Sequence, residues 1–253
     1  MNTNKNSYIF IYASVMVVIV AFLLAFVSSS LKPIQQQKED LDKKKQILAS
    51  LNIFAADTTE AMYTKCVKEE LLLDTLGNVI DTTGAFGVKS SNIGKKKGQQ
   101  LPIYVCEVEG EPKYVIPLYG AGLWGPIWGY VSLNADKETI YGVYFSHQGE
   151  TPGLGAEITN REKFQNPFIG KYAVKDGKPV ISVKKKVADE TCEVNAISGG
   201  TITSDGVDKM LKACLGYYTP YLTQCEKACC ATACDSTACA AEVPAEVIEV
   251  VNE

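Results

Sequence analysis

The stretch Ser198-Gly199-Gly200-Thr201-Ile202-Thr203-Ser204 is the most informative part of this 253-residue chain. Its two adjacent glycines permit close approach of the backbone to a ligand and can adopt positive φ. Its four hydroxyl side chains offer hydrogen-bond donors to a phosphate. Apolar residues recur at helical spacing from Val207 onward, so we predict a helix with Ser204 at its N-cap. A capped loop explains these residues equally well, but a helix N-terminus also favours a bound anion.

The N-terminal part of the chain indicates a membrane anchor. Residues 8–27 are apolar or hydroxyl-bearing throughout, and no charge interrupts residues 7–31. About 20 apolar residues span a bilayer core as a helix. A cleavable signal peptide with small residues at 25–30 is the alternative, but its apolar region is usually about 7–15 residues long. We therefore predict a retained transmembrane helix within residues 1–31.

Composition divides the rest of the chain into three further parts. Residues 32–75 mix charges with apolar residues at helical spacing, and we predict a juxtamembrane helical region with a second helix at 58–73. Residues 76–222 form the predicted α+β domain on a mostly antiparallel sheet, with its core at 117–217. Residues 223–253 contain five cysteines and an acidic end, which predict a disordered or appended tail.

Strand signals dominate the predicted domain. Residues 103–108 and 113–118 flank a turn containing Gly110, as in a hairpin. Residues 130–133 and 139–145 form a second predicted pair, and residues 180–183 follow a further turn signal. Short strands followed by one helix favour the α+β class.

Composition excludes several classes of function. A net charge of −4 and a pI near 5.3 give no basic face for nucleic acid. His147 is the only histidine and follows a predicted strand, where a structural role is the ordinary one. Gly120-x-Gly122 lacks the third glycine of a dinucleotide fingerprint, and no catalytic triad or P-loop is present. This pattern suits a protein that holds a cofactor whose own chemistry does the work.

The nine cysteines do not indicate a disulfide framework, because their number is odd and their spacing irregular. Those within the domain lie in apolar settings that favour buried free thiols, namely Cys66, Cys106, Cys192 and Cys214. The five tail cysteines match no standard zinc or iron–sulfur spacing. Disulfide pairing in an oxidising compartment and simple disorder are the two interpretations of that tail.

Two glycine-rich stretches precede the opening motif. Residues 119–129 contain both tryptophans, and a tight connection with an aromatic core residue is one interpretation of them. In residues 147–155, Pro152-Gly153 predicts a turn that presents Glu150, Thr151 and Leu154. Such a turn suits contact with a flat heteroaromatic ring.

Three motifs now combine into a family resemblance. Gly122-Leu123-Trp124, the Glu150–Gly155 segment and Ser198-Gly199-Gly200-Thr201 follow the N-terminal anchor in this order. Together they resemble the C subunit of the sodium-translocating NADH:quinone oxidoreductases, within the FMN-binding domain family. The G subunit of the related Rnf electron-transport complex belongs to the same wider family and remains the alternative. A third interpretation, from another class, is a non-redox membrane-anchored assembly module.

The resemblance implies an FMN attached through a phosphoester to Thr201 by a dedicated flavin transferase. Asn195 and Gly200 stand where relatives usually have Asp and Ala, and we expect the modification to survive both changes. Thr203 is the alternative acceptor. Thr151 and Leu154 are the implied neighbours of the flavin ring. The complete set of cofactor-binding residues implied is Trp124, Glu150, Thr151, Gly153, Leu154, Ser198, Gly199, Gly200, Thr201, Ile202 and Thr203.

The resemblance also implies partners and a location. The protein would accept an electron from an iron–sulfur centre in neighbouring subunits and pass it to a second FMN subunit. It would not be active alone, and it would itself bind neither NADH nor sodium. Relatives place the soluble domain on the periplasmic side of the bacterial inner membrane, as a single-pass protein. The lysines that follow the apolar segment favour the cytoplasm instead, by the positive-inside tendency.

Overall fold

The computed structural model describes residues 6–54, 58–93 and 100–224. The predictions for the cysteine-rich, acidic tail fall outside these residues, apart from its first two positions. Within them the fold is α+β, as predicted, with one long N-terminal helix ahead of a mostly antiparallel sheet.

Helix α1 runs unbroken from Asn6 to Ser50. Its apolar part has a mean hydropathy of 2.9 and is entirely unburied, so by length and composition this helix can cross a membrane. Pro33 lies inside the helix, where it removes one backbone hydrogen bond without ending it. No break in secondary structure marks the predicted boundary at residue 31, and the predicted juxtamembrane helix continues the anchor directly.

Six strands form the main sheet, in the order β2-β1-β3-β4-β5-β6 with antiparallel neighbours. Both predicted hairpins are present, as β3–β4 and β5–β6. Glu109 and Gly110 turn the first of them with φ of 55° and 83°, as a two-residue hairpin loop requires. The strands are β1 Val67–Leu73, β2 Val79–Asp81, β3 Leu101–Val108, β4 Glu111–Ala121, β5 Pro126–Leu133 and β6 Ile140–His147.

The four remaining strands of the described residues form two small two-stranded sheets. β7 (Val174–Lys175) pairs with β8 (Lys178–Pro179) across the predicted turn, and β9 (Ser182–Lys184) pairs in parallel with β10 (Glu193–Asn195). The predicted strand at 180–183 therefore begins later than expected and continues to residue 184.

The predicted second helix at 58–73 is only half correct. Helix α2 spans Thr59–Cys66, and the chain then becomes strand β1. Leu71 and Leu73 are buried on one face of the sheet, whereas Leu72 is buried on the other. A strand buried on both faces carries a continuous apolar run, and such a run cannot be distinguished from a helix by its spacing.

The sheet separates two apolar layers. Helix α3 (Thr201–Leu222) packs on one face, where Val207, Leu211 and Leu215 are fully buried. The C-terminal end of α1 and helix α2 cover the other face through Ile47, Leu51 and neighbouring residues. This arrangement places the N-terminus of α3 near the end of β4, since a Cβ added at Gly206 would lie 2.5 Å from the carbonyl oxygen of Ala121.

The predicted N-cap of α3 is wrong. The helix begins at Thr201 with Gly200 as its N-cap, and Ser204 lies inside the first turn. The Ser204 hydroxyl accepts a hydrogen bond from the backbone N–H of Ile197 at 3.0 Å, so it closes the preceding loop instead of capping the helix. The opening motif thus supplies both the loop and the first turn of the helix.

Candidate cofactor-binding site

Three segments that are distant in sequence meet at the N-terminus of α3. They are the β4–β5 connection at residues 122–125, the turn after β6 at residues 148–155, and the glycine pair before the helix. Strands β4, β5 and β6 are neighbours in the sheet, so the end of β4 and the end of β6 lie at the same side. The fold therefore brings the three predicted motifs together.

These segments enclose a cleft of about 220 Å³. It contains most of the predicted cofactor-binding residues and two that the prediction did not include, Leu123 and Gly155. Ser198, Gly153 and Trp124 do not line the cleft but adjoin residues that do. The lining residues are Leu123, Glu150, Thr151, Leu154, Gly155, Gly199, Gly200, Thr201, Ile202 and Thr203.

Glu150 is the centre of the site. Its carboxylate accepts the backbone N–H of Trp124 at 2.9 Å and the hydroxyl of Thr203 at 2.5 Å, so one side chain joins all three segments. Burial raises the pKa of this carboxyl, but the Thr203 hydroxyl and the backbone N–H groups of Trp124 and Leu123 outweigh burial and hold the pKa below its ordinary value. Glu150 is therefore an anion at neutral pH, although its residue is only 4 % exposed.

Two glycines make room for this carboxylate. A Cβ at Gly122 would overlap Oε1 of Glu150, and a Cβ at Gly155 would lie 2.5 Å from Oε2 and would also overlap the Thr203 hydroxyl. Any larger residue at either position would displace the acid from its donors. Gly155 is part of the sequence motif, but only the structure shows that the Glu150 carboxylate and the Thr203 hydroxyl leave no space for a side chain there.

The turn after β6 touches the glycine pair directly. Leu154 donates its backbone N–H to the Thr151 carbonyl at 3.1 Å, and Gly153 between them adopts a φ of 74°. Gly199 has a φ of 77°, and a Cβ there would lie 2.7 Å from Cδ2 of Leu154. Glycine at 199 is thus required twice, by its backbone conformation and by the approach of the leucine.

The start of α3 fits a phosphate group. The first N–H groups of an α-helix have no intrahelical acceptor, and Gly200 offers no side chain to cap them. Thr201 is half-buried on the first turn at the cleft, whereas Thr203 is 1 % exposed and its hydroxyl is engaged by Glu150. Of the two predicted acceptors, Thr201 is the one that is not fully buried.

Apolar side chains rim the cleft in unusually exposed positions. Trp124 is 69 % exposed, so the interpretation of this tryptophan as a core residue is wrong. Leu123, Leu154 and Ile202 are 48 %, 44 % and 58 % exposed. The cleft is smaller than the roughly 300–1,000 Å³ of sites that enclose a whole ligand. A ligand held by its phosphate at α3 would therefore rest partly on this apolar rim and remain open to solvent on one side.

His147 has the structural role expected from sequence. It ends β6 and its Nδ1 accepts the backbone N–H of Glu150 at 3.2 Å, which helps to fix the turn.

Comparisons with known proteins fit this geometry. Residues 122–216 match the family model described as FMN-binding domain, and these residues contain the whole cleft. The chain is 30 % identical to the C subunit of the Na(+)-translocating NADH-quinone reductase of Neisseria meningitidis, over 78 % of this chain and 86 % of that protein. It is 29 % identical to the corresponding protein of Haemophilus ducreyi, over 81 % and 89 %.

Solved structures show the same relationship. The crystal structure of the C subunit of the Na(+)-translocating NADH-quinone reductase from Parabacteroides distasonis is 44 % identical in sequence, with a TM-score of 0.72 over 77 % of this chain and 98 % of that one. The structure of Shewanella oneidensis NqrC is 24 % identical with a TM-score of 0.61, over 73 % and 97 % of the two chains, and supports the fold alone.

Proposed function

The chain belongs to the family of C subunits of the Na(+)-translocating NADH-quinone reductases, and from this premise we propose that it carries a covalent FMN on Thr201. Membership and the FMN-binding match make it an FMN electron-transfer subunit of such a complex. The proposal of covalent attachment is supported by the position of Thr201, which lines the cleft on the uncapped first turn of α3.

Attachment requires an activated flavin, because a phosphoester does not form readily from a free phosphate and an alcohol in water. We assign this step to a flavin transferase that uses a flavin dinucleotide. In this step the Thr201 Oγ1 would bond to the phosphorus of the flavin half, the phosphoanhydride bond would break, and the nucleoside monophosphate would leave with the bridging oxygen, while the hydroxyl proton would pass to a base of the transferase. Thr203 is a poor acceptor, since its hydroxyl is buried and donates to Glu150.

The residues of the cleft then have separate tasks. The N-terminus of α3 stabilises the phosphate, since free N–H groups and the helix dipole both favour an anion. Thr151 and Leu154 line the cleft from the turn after β6 and would contact the flavin ring, and the exposed apolar rim would leave one side of the site accessible to a partner. Bound FMN supplies the electron chemistry, and the protein sets its position and surroundings.

Within the complex, we propose that this protein receives an electron from an iron–sulfur centre of neighbouring subunits and passes it to a second FMN subunit. Export of Na⁺, driven by electron transfer from NADH to quinone, is then a property of the whole assembly. We also propose that α1 anchors the chain in the bacterial inner membrane with the cleft in the periplasm. Alkaline phosphatase fused to the C-terminus of the full chain should be active, whereas a cytoplasmic orientation would leave it inactive.

Covalent attachment has a direct test. The full chain is co-expressed with a flavin transferase, denatured, and examined for flavin fluorescence in the gel and for the modified peptide by mass spectrometry. We expect fluorescence from the wild type and from Thr201→Ser, none from Thr201→Ala, and retained fluorescence from Thr203→Val. A Thr201→Ala chain that still fluoresces would contradict the site, and an unmodified wild type would favour the non-redox assembly role.

A further inference from the structure

The Glu150 carboxylate does more than its position in a sequence motif indicates. It is the side chain that joins the Trp124 segment, the turn after β6 and the first turn of α3. Gly122 and Gly155 both have to lack a Cβ for it to occupy this place. Two backbone positions and three segments are therefore arranged around one acid.

A neutral side chain of the same shape would lack its charge and would bond to Thr203 in the opposite direction. Both carboxylate oxygens act as acceptors, Oε1 for the Trp124 N–H and Oε2 for the Thr203 hydroxyl. A glutamine offers one acceptor oxygen and one amide nitrogen that only donates. The two donors hold the pKa of the Glu150 carboxyl below its ordinary value, so the carboxylate keeps a negative charge at the cleft.

A fixed anion beside a redox group has a predictable effect. Reduction of a flavin adds negative charge, and a nearby buried anion opposes it because electrostatic interactions are strong where water is excluded. We propose that Glu150 is a positioning residue that, through its retained charge, lowers the midpoint potential of the flavin held in this cleft. This inference rests on the proposed function, since it needs the cofactor there.

The α3 N-terminus and Glu150 act in opposite directions on the bound group. The helix end attracts the phosphate of the cofactor, whereas the acid disfavours further negative charge in the cleft that it lines. The first turn of α3 supplies both the N–H groups of the helix end and the hydroxyl that holds Glu150. Thr203, the donor to Glu150, follows Thr201 by two residues. Attachment and redox tuning would therefore be properties of one structural unit.

The test separates charge from hydrogen bonding. Full-length wild type, Glu150→Gln, Glu150→Asp and Thr203→Val chains are flavinylated, purified in detergent and titrated to obtain the flavin midpoint potential. Glu150→Gln removes the charge and one acceptor. Thr203→Val removes the hydroxyl but keeps the charge, and Glu150→Asp keeps the charge while shortening its reach.

We expect a higher midpoint potential in Glu150→Gln, with Glu150→Asp and Thr203→Val remaining near the wild type. An unchanged potential in Glu150→Gln would overturn the inference, and so would an equal rise in Thr203→Val, because the hydrogen bond and not the charge would then be responsible. If Glu150→Gln fails to fold, Glu150→Met serves as the second variant without the charge, and an unchanged potential there would overturn the inference. A wild type without flavin would instead refute the proposed function, so the two failures are distinguishable.

Discussion

The hydroxyl of Ser132, at the C-terminal end of strand β5, donates to the backbone carbonyl of Ser50 at 2.6 Å. This bond joins the last residue of α1 to the sheet that carries the cleft. Asn52 adds two further links, since its amide donates to the Tyr141 carbonyl and its Oδ1 accepts from the Arg161 guanidinium. Helix α1 is therefore fastened to the domain by polar bonds as well as by apolar packing.

Replacing Ser132 tests this attachment. Ser132 is fully buried, so Ser132→Ala should leave the Ser50 carbonyl without its donor and lower the free energy of unfolding by about 1–3 kcal/mol. Chemical denaturation of the full chain in detergent, followed by circular dichroism, measures the change. Thr159→Ala is the control, because Thr159 is exposed and should change stability by no more than about 0.5 kcal/mol. Equal effects of the two substitutions would contradict the assigned role.

The glycine pair before α3 gives opposite predictions for neighbouring positions. Gly199→Ala must place a Cβ against Leu154 at a φ of 77°, so we expect the amount of covalently attached flavin to fall sharply. In Gly200→Ala the nearest atom to the new Cβ is Cγ2 of Ile197 at 3.0 Å, and the φ of −106° is one that alanine adopts readily. Attached flavin should therefore be retained in Gly200→Ala.

Absorbance of the flavin relative to protein gives the stoichiometry for both variants. If Gly200→Ala retains its flavin, the same backbone conformation can accommodate the alanine that relatives usually carry at this position. Loss of flavin in Gly200→Ala alone would show that the loop geometry is described incorrectly.

Alanine substitutions at two glycines of α3 should have opposite effects on the free energy of unfolding. Gly206→Ala brings a Cβ to 2.5 Å from the Ala121 carbonyl oxygen, so overpacking should lower the free energy of unfolding by about 1–3 kcal/mol. Gly216→Ala meets nothing within 4 Å on the exposed side of the helix and should raise it by about 0.5–1 kcal/mol. Thermal unfolding of the two variants checks both signs, and a stabilising Gly206→Ala would contradict the close approach of α3 to β4.

Asp208 predicts a pH dependence. Burial raises the pKa of its carboxyl, but the Lys212 ammonium, the Ser182 hydroxyl and the Val183 N–H outweigh burial and lower the pKa. A depressed pKa stabilises the fold above the unfolded-state value of about 3.9, and this stabilisation is lost as the pH falls through the folded-state pKa. Asp208→Asn should therefore be less stable than the wild type at pH 7.

The difference between wild type and Asp208→Asn should shrink below about pH 4, because the carboxyl of the unfolded chain takes up a proton there before the native carboxyl does. Urea denaturation at several pH values measures it. A difference that stays constant down to about pH 3 would mean that hydrogen-bond geometry, not charge, accounts for the role of Asp208.

Local chemistry explains which parts of the fold could be predicted from sequence. The β3–β4 hairpin was predictable because Gly110 and its neighbours specify a turn, and the anchor because its apolar run is long. Strand β1 was not, since Leu71, Leu72 and Leu73 are buried on opposite faces, and only the tertiary arrangement makes them a strand.

The candidate site shows the same division. The motifs containing Thr151, Leu154 and Thr201 were recognisable as short stretches, and the structure brings them to one cleft. The bond between Thr203 and Glu150 was not predictable, because it joins residues 53 positions apart. The start of α3 was misplaced because Ser204 is a good N-cap by type, whereas its hydroxyl serves the Ile197 N–H.

The unbroken course of α1 has a mechanical consequence. From Lys32 to Ser50 the helix extends about 28 Å, and its end is bonded to the sheet. A lever of this length turns any tilt of the apolar segment into a larger displacement of the cleft, and a twist about its axis rotates the cleft through the same angle. In the proposed complex, subunits that bind this helix within the bilayer would thereby determine the direction in which the cleft faces.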